Sequence, residues 1–188
     1  MSDRPEQRFD QLWQDHAPAV VRYARRHVLP DEVEDVVAET FVVAWRRLEE
    51  VPPFGLPWLL GVARNVSANT RRGRRRQEAL SDRIAAELDD GPAWPEIGGG
   101  GRGEETVTAA LHGLSDADRE LLTLIAWDGL SHAEAAQALG CTRGALKVRL
   151  HRARSRFAAL LGQRAADPRP LAPEPTSCPQ TSSSGGAA

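Results

Sequence analysis

The stretch DDGPAWPEIGGGGRGEE, residues 89–105, most limits what this chain can become. It is glycine, proline and acid with almost nothing to bury, so it reads as a flexible linker rather than a folded element. It divides 188 residues into two lengths, each suited to one small domain. The expected organisation is a first domain over 8–78, an acidic linker over 79–105, a second domain over 106–163 and a tail over 164–188. The tail, rich in Pro, Ser and Gly, reads as disordered.

Both domains read as all-α. Neither contains a convincing two-residue alternation or an Asn-Gly hairpin signal. The first helix carries Phe9, Leu12, Trp13, Val20, Val21 and Tyr23, with an expected interruption at Pro18. A second helix spans about Asp31 to Glu49. At about 100° per residue, Val37, Phe41, Ala44, Trp45 and Leu48 share one stripe. Glu32, Asp35, Glu39 and Arg46 lie opposite, with Val36 and Val43 beside them. That mixed acidic and aliphatic outer side suits protein docking. Pro52, Pro53 and Gly55 end this helix, and Pro57 suits the first turn of the next. The third helix buries Trp58, Leu59, Val62, Ala63 and Val66. Its other side carries Arg64, Asn65, Asn69, Arg71 and Arg72, groups able to stack on and hydrogen-bond unpaired bases.

In the second domain, Ser115 reads as an N-cap and Gly129 as a helix end. Ser131 and Glu134 form a capping-box pattern before Ala135, Ala136 and Leu139. Gly140 then turns the chain into RGALKVRLHRARSRFAALL. From Arg143 to Arg164, 22 residues hold seven cations and no carboxylate. Leu146, Leu150, Ala153, Phe157, Leu160 and Leu161 form its core stripe. Val148, His151, Arg152 and Ser155 point away, flanked by Lys147 and Arg154 on one side and Arg149 and Arg156 on the other. A small-residue helix, a glycine turn and a basic second helix make the helix-turn-helix layout, which places side chains in the DNA major groove.

Charge is sharply segregated although the whole chain carries only −2. Residues 78–134 hold 13 acids and three bases, a net of −10, between the basic cluster at 71–76 and the basic helix. Catalytic and metal-binding classes find no support. The five histidines have no metal-ligand spacing, and Cys141 and Cys178 make neither a ligand pair nor a disulfide framework. GGGGRG at 98–103 lacks the Lys-Ser/Thr of a phosphate loop. No enzyme activity, cofactor or metal is expected. No run of about 18 apolar residues and no N-terminal signal stretch is present, so a cytoplasmic chain without membrane insertion is expected.

Two ordered segments resemble a known family. DEVEDVVAETFVVAWRRL followed by PWLLGVARNVSANTRRGRRR is similar to region 2 of the bacterial sigma-70 factors, and LSDADRELLTLIAWDGLSHAEAAQALGCTRGALKVRLHRARSRFAALL to region 4. Having only these two regions is the mark of the extracytoplasmic-function (ECF) group. The resemblance implies an RNA polymerase sigma factor directing promoter-specific initiation. It implies core polymerase as partner, met through the largest-subunit coiled coil and, for the second domain, the flap. Promoter DNA is the other partner, and an anti-sigma factor a further one.

For the site residues, the resemblance implies docking by Glu32, Asp35, Val36, Glu39 and Val43, with Phe41 and Trp45 structural. It implies opening and reading of the −10 element by the loop at 49–57 with Trp58, Arg64, Asn65, Asn69, Arg71 and Arg72. The −35 element falls to Lys147, Val148 and His151 at base edges and to Arg143, Arg149, Arg152 and Arg154 at phosphates. Departures from the family pattern are Ala38 for a usual Gln, Asn69 for a usual Asp, and Val148 for a usual Ser. A helix-turn-helix regulator that binds duplex DNA alone is the alternative, its first domain serving dimerisation or ligand sensing. The second basic cluster, on a separate domain, favours the sigma reading.

Overall fold

The computed structural model describes residues 5–81 and 102–166. Seven α-helices follow in order among them: α1 (Pro5–Arg25), α2 (Val33–Arg46), α3 (Gly55–Ser81), α4 (Arg102–His112), α5 (Asp116–Ala126), α6 (His132–Ala138) and α7 (Arg143–Ala166). Short 3-10 turns, Pro30–Glu32 and Leu48–Glu50, bracket α2. The described residues contain no strand, as the all-α reading expects. α3 reaches Ser81 and α4 starts at Arg102, so helix enters both ends of the segment 79–105. Residues 82–101 and 167–188, most of the expected linker and tail, lie outside the described residues.

α1, α2 and α3 pack on one another as a first lobe. Val20, Tyr23, Phe41, Leu59 and Leu60 are its most deeply buried large side chains. α1 is continuous through Pro18, contrary to the expected interruption. Pro18 and Gln14 are both exposed, so the missing amide bond falls where water can solvate the carbonyl four residues back. Ala19, Val20, Tyr23 and Ala24, buried just beyond, hold both halves on one axis.

α2 is rotated from its expected setting. Its buried residues are Val33, Val36, Val37, Thr40, Phe41 and Ala44, while Trp45 is half exposed. α2 packs against both α1 and α3, so its buried arc is wider than a single-neighbour stripe. Trp45 lies over the edge of that arc, its ring edge-to-face with Phe9 at 5.2 Å.

The second lobe gathers α4, α5 and α6 on α7. Leu146, Leu150 and Ala153 are buried and Phe157, Leu160 and Leu161 partly so, as the stripe predicts. Ser115 Oγ accepts from the Asp118 amide, and Ser131 and Glu134 complete a reciprocal capping box. Gly129 and Gly140 adopt φ of 68° and 62°, the left-handed conformation that ends a helix and that side-chain-bearing residues disfavour.

The lobes are not separate. One hydrophobic cluster runs from Leu12 to Ala153 and takes in residues of both. α6 lies against α3, close enough that a Cβ at Gly61 would sit 3.3 Å from the Ala138 carbonyl oxygen.

Candidate nucleic-acid and docking surfaces

Recognition helix. Thr142 caps α7, its Oγ1 accepting from the Ala145 amide at 3.2 Å. The Cys141 amide donates to the Ala136 carbonyl at 2.9 Å and fixes the turn around Gly140. With Leu146 and Leu150 seated in the core, α7 can turn only one face to solvent. That face exposes Arg143, Lys147, Val148, His151, Arg152 and Arg154, and Arg149 is half buried at its edge. Val148 at the centre is 52% exposed. Arg156 does not share the face freely, because it is paired with the Asp118 carboxylate of its own lobe. The surface therefore has an apolar and imidazole centre with guanidinium groups around it, fit for base edges inside and phosphates outside.

The α3 surface. Trp58 is half buried beneath the Arg47 guanidinium, 5.7 Å from its ring centroid. Asn65, Asn69 and Arg72 are exposed, and Arg72 donates to the Asn69 side chain. Arg71 is half buried. Arg64 differs from this group. Its Nε donates to both carboxylate oxygens of Glu120 on α5, at 3.1 Å each. Phe54, just ahead of α3, is 81% exposed, the largest exposure of any large apolar side chain described. A phenyl ring held in water beside two prolines offers a stacking surface that the sequence reading did not single out.

The α2 surface. Asp35 and Glu39 are exposed, as expected, and Val43 is half exposed. Val36 is 1% exposed and belongs to the core, which corrects its place on the docking face. The outward aliphatic residue is Val42, 45% exposed. Glu32 is also not a free docking carboxylate. It accepts from the Leu29 amide at 3.0 Å and from Arg74 at 3.4 Å, closing the turn before α2. Beside this surface, Trp13, Val21, Val33, Val37 and Ala38 line an apolar groove between α1 and α2.

Between the lobes. The Tyr23 hydroxyl donates to Glu120 at 2.6 Å, and Arg26 pairs with Asp128 at 2.5 Å. Burial and the adjacent Glu120 carboxylate push the Tyr23 phenol well up. His27 stacks on Tyr23 with ring centroids 4.0 Å apart, and burial lowers it to about 4, so its imidazole is neutral at physiological pH. Arg26 Nε and Asp128 Oδ1 are buried without hydrogen-bond partners, so this ion pair is single-pronged. None of these groups stood out in the sequence, since charged residues at helix ends ordinarily face water.

Among the described residues no cluster of His, Cys, Asp or Glu could hold a metal, and no helix is long and apolar enough to cross a membrane. A basic helix without a carboxylate, joined to a second helical lobe that presents amide and guanidinium groups, has the surface chemistry of the nucleic-acid-binding class. The comparisons narrow that class. Sigma-70 region 2 matches residues 12–77, and Sigma-70, region 4, matches residues 104–157. The RNA polymerase sigma factor NccH of Alcaligenes xylosoxydans xylosoxydans is 36% identical over 160 residues, 81% of this chain and 86% of that protein. The ECF RNA polymerase sigma factor EcfG of Rhodopseudomonas palustris is 36% identical over 137 residues, 70% of this chain and 72% of its own length. Among solved structures, the sigma factor RpoE in complex with the anti-sigma factor NepR from Bartonella quintana superimposes with a TM-score of 0.62. It is 28% identical and covers 82% of this chain and 96% of its own. CnrH in complex with the cytosolic domain of CnrY gives 0.56 at 30% identity, over 82% of this chain and 88% of that one.

The chain belongs to the sigma-70 family of RNA polymerase sigma factors, in its extracytoplasmic-function group. Its activity is accordingly promoter-directed transcription initiation, and the free-standing regulator is not favoured.

Proposed function

We propose that the labour of initiation divides among three faces of this chain. The outward face of α7 reads the −35 element as duplex. Lys147, Val148 and His151 meet base edges, and Arg143, Arg149, Arg152 and Arg154 meet phosphates. Val148 carries no hydrogen-bonding group, so it favours an apolar contact such as a thymine methyl. The α3 face opens and reads the −10 element through Trp58, Arg64, Asn65, Asn69, Arg71 and Arg72, with the loop at 49–57 beside it. Asn and Arg hydrogen-bond unpaired bases, and Trp stacks on them. The α2 face, with Asp35 and Glu39 beside Val42 and Val43, docks on the coiled coil of the polymerase largest subunit. The second lobe meets the flap.

The observation that carries this reading is the exposed, acid-free face of α7 on a lobe matched by sigma-70 region 4. The chain contributes recognition and melting, and it supplies no catalytic group and no cofactor. It works in the cytoplasm beside polymerase. Two similar structures are sigma factors in complex with another protein, in one of them the anti-sigma factor NepR, and that likeness extends an anti-sigma partner to this chain.

The test is in-vitro transcription with sigma-free core polymerase and a pool of genomic promoter fragments, followed by sequencing of RNA starts. Discrete starts sharing two elements are expected. Tight duplex binding by the protein alone, without starts, would overturn the division of labour.

A further inference from the structure

We propose that Arg8 of α1 is a positioning residue for promoter opening: it props the loop ahead of α3 so that Phe54 stands in water, ready for a base leaving the duplex. This rests on the reading of the loop at 49–57 as part of the −10 surface.

The loop has little means of holding its own shape. Val51 is extended, with φ of −69° and ψ of 121°, as suits a residue that precedes a proline. Its amide donates to the Leu48 carbonyl at 3.3 Å. Pro52 and Pro53 come next and have no N–H to donate. Two consecutive positions therefore give the loop no backbone donor, and its shape is set from outside.

α1 sets it at both ends. Ahead of the prolines, Arg8 Nη2 donates to the Val51 carbonyl at 2.6 Å, across 43 positions of sequence. Behind them, Gly55 opens α3 against the same helix. A Cβ there would lie 2.6 Å from Leu12 Cδ1 and 3.5 Å from the His16 ring. Arg8, Leu12 and His16 recur at four-residue steps, so one stripe of α1 faces the loop.

Between these two anchors the loop is not packed down. A cleft of about 190 Å³ lies between it and α1, lined by Gln11, Asp15, Pro52 and Pro53 beside the anchoring residues. The Arg8 side chain crosses this cleft as a strut. Without the strut the loop has room to fold inward and take Phe54 out of water. Phe54 is 81% exposed, and a base can stack only on a ring whose face is open. A loop already held in that shape engages the base without the entropy cost of ordering first.

The test uses the full chain with core polymerase, on a promoter located by the RNA starts described above. Opening is read as the rate at which −10 thymines become reactive to permanganate. A linear duplex is compared with the same promoter carrying a mismatched, pre-opened −10 bubble, on which RNA synthesis is measured. Arg8→Ala should slow opening of the duplex by about tenfold, the scale of one hydrogen bond to a charged donor. RNA synthesis from the bubble should be unchanged, since no base has to be extracted there. Arg8→Lys, which keeps the charge and a donor, should recover most of the rate. Phe54→Ala should match Arg8→Ala, and the double variant should be no slower than either, because Arg8 acts through the loop. Slow opening by Phe54→Ala with normal opening by Arg8→Ala overturns the strut. An equal loss on duplex and bubble also overturns it, because general damage to the first lobe would act on both. Normal opening by both single variants places the fault in the −10 reading of the loop. Failure of the sigma reading itself would instead show as missing starts with wild-type protein.

Discussion

Arg26 of α1 and Asp128, just past α5, meet across the two lobes at 2.5 Å, with side chains 8% and 0% exposed. Separated by 102 positions, they form a buried charge pair that neither lobe would need alone. Removing one partner strands the other charge out of water. Asp128→Ala should therefore cost about 3–5 kcal/mol in urea unfolding. Replacing both partners together, Arg26→Met with Asp128→Leu, should cost clearly less. A single substitution no worse than the double would contradict the buried-pair account.

His27 sets an acid limit on stability. Its folded value is about 4, lowered first by burial, against an ordinary value of 6.5. The backbone carbonyl of Tyr23 and the Glu120 carboxylate work in the raising direction, while Arg26 and Arg71 act with burial. The unfolded chain thus binds a proton between these values that the folded chain refuses. Stability is fully present above pH 6.5 and is lost as pH falls toward 4, by on the order of 3 kcal/mol. Urea midpoints at pH 7.5 and 4.5, compared with those of His27→Gln, measure this. The variant should show a shallower loss.

At the recognition helix, Arg152→Glu should weaken promoter-directed transcription by the equivalent of about 1–3 kcal/mol. Polymerase binding should be unchanged, because Arg152 is exposed on the face of α7 away from its core stripe. Transcription and co-purification with core enzyme, measured on the same preparation, separate the two effects.

On α2, Asp35→Arg combined with Glu39→Arg should abolish polymerase binding while leaving the fold intact. Val42→Asp should do the same, since Val42 is 45% exposed. Val36→Asp should unfold the first lobe instead, because it places a carboxylate in the core. Circular dichroism alongside core-enzyme pull-down distinguishes these outcomes. A folded Val36→Asp protein would refute the placement of α2.

Within the second lobe, α6, the turn after it and the core stripe of α7 were legible in sequence. The Ser131–Glu134 box, the turn at Gly140 and the stripe of Leu146, Leu150 and Ala153 are local signals, and each is set by a few neighbouring side chains. α4 was missed, although Val107, Ala110, Leu111 and Leu114 fall at helical spacing, because the glycine and acid before it read as linker. The error at Val36 has a different origin. Periodicity gives the angle of a stripe but not the number of helices packed on it, and Trp45 drew the expected centre toward itself. Arg64, Glu120, Tyr23 and Arg26 could not be paired from sequence at all. Their contacts join positions 56 to 102 apart, and helical periodicity carries no information at that range.

The Arg156–Asp118 pair has a consequence for how this protein responds to ionic strength. Seven cations crowd the sequence of the last helix, yet Arg156 is already neutralised within its own lobe. The four arginines assigned to phosphates would displace about four condensed counterions. Duplex affinity would then fall by roughly tenfold for each doubling of salt. At an ionic strength of about 0.15 M such a grip would be brief, so the chain would sample DNA and let go rather than remain bound, and durable occupancy of a promoter would belong to the assembled polymerase.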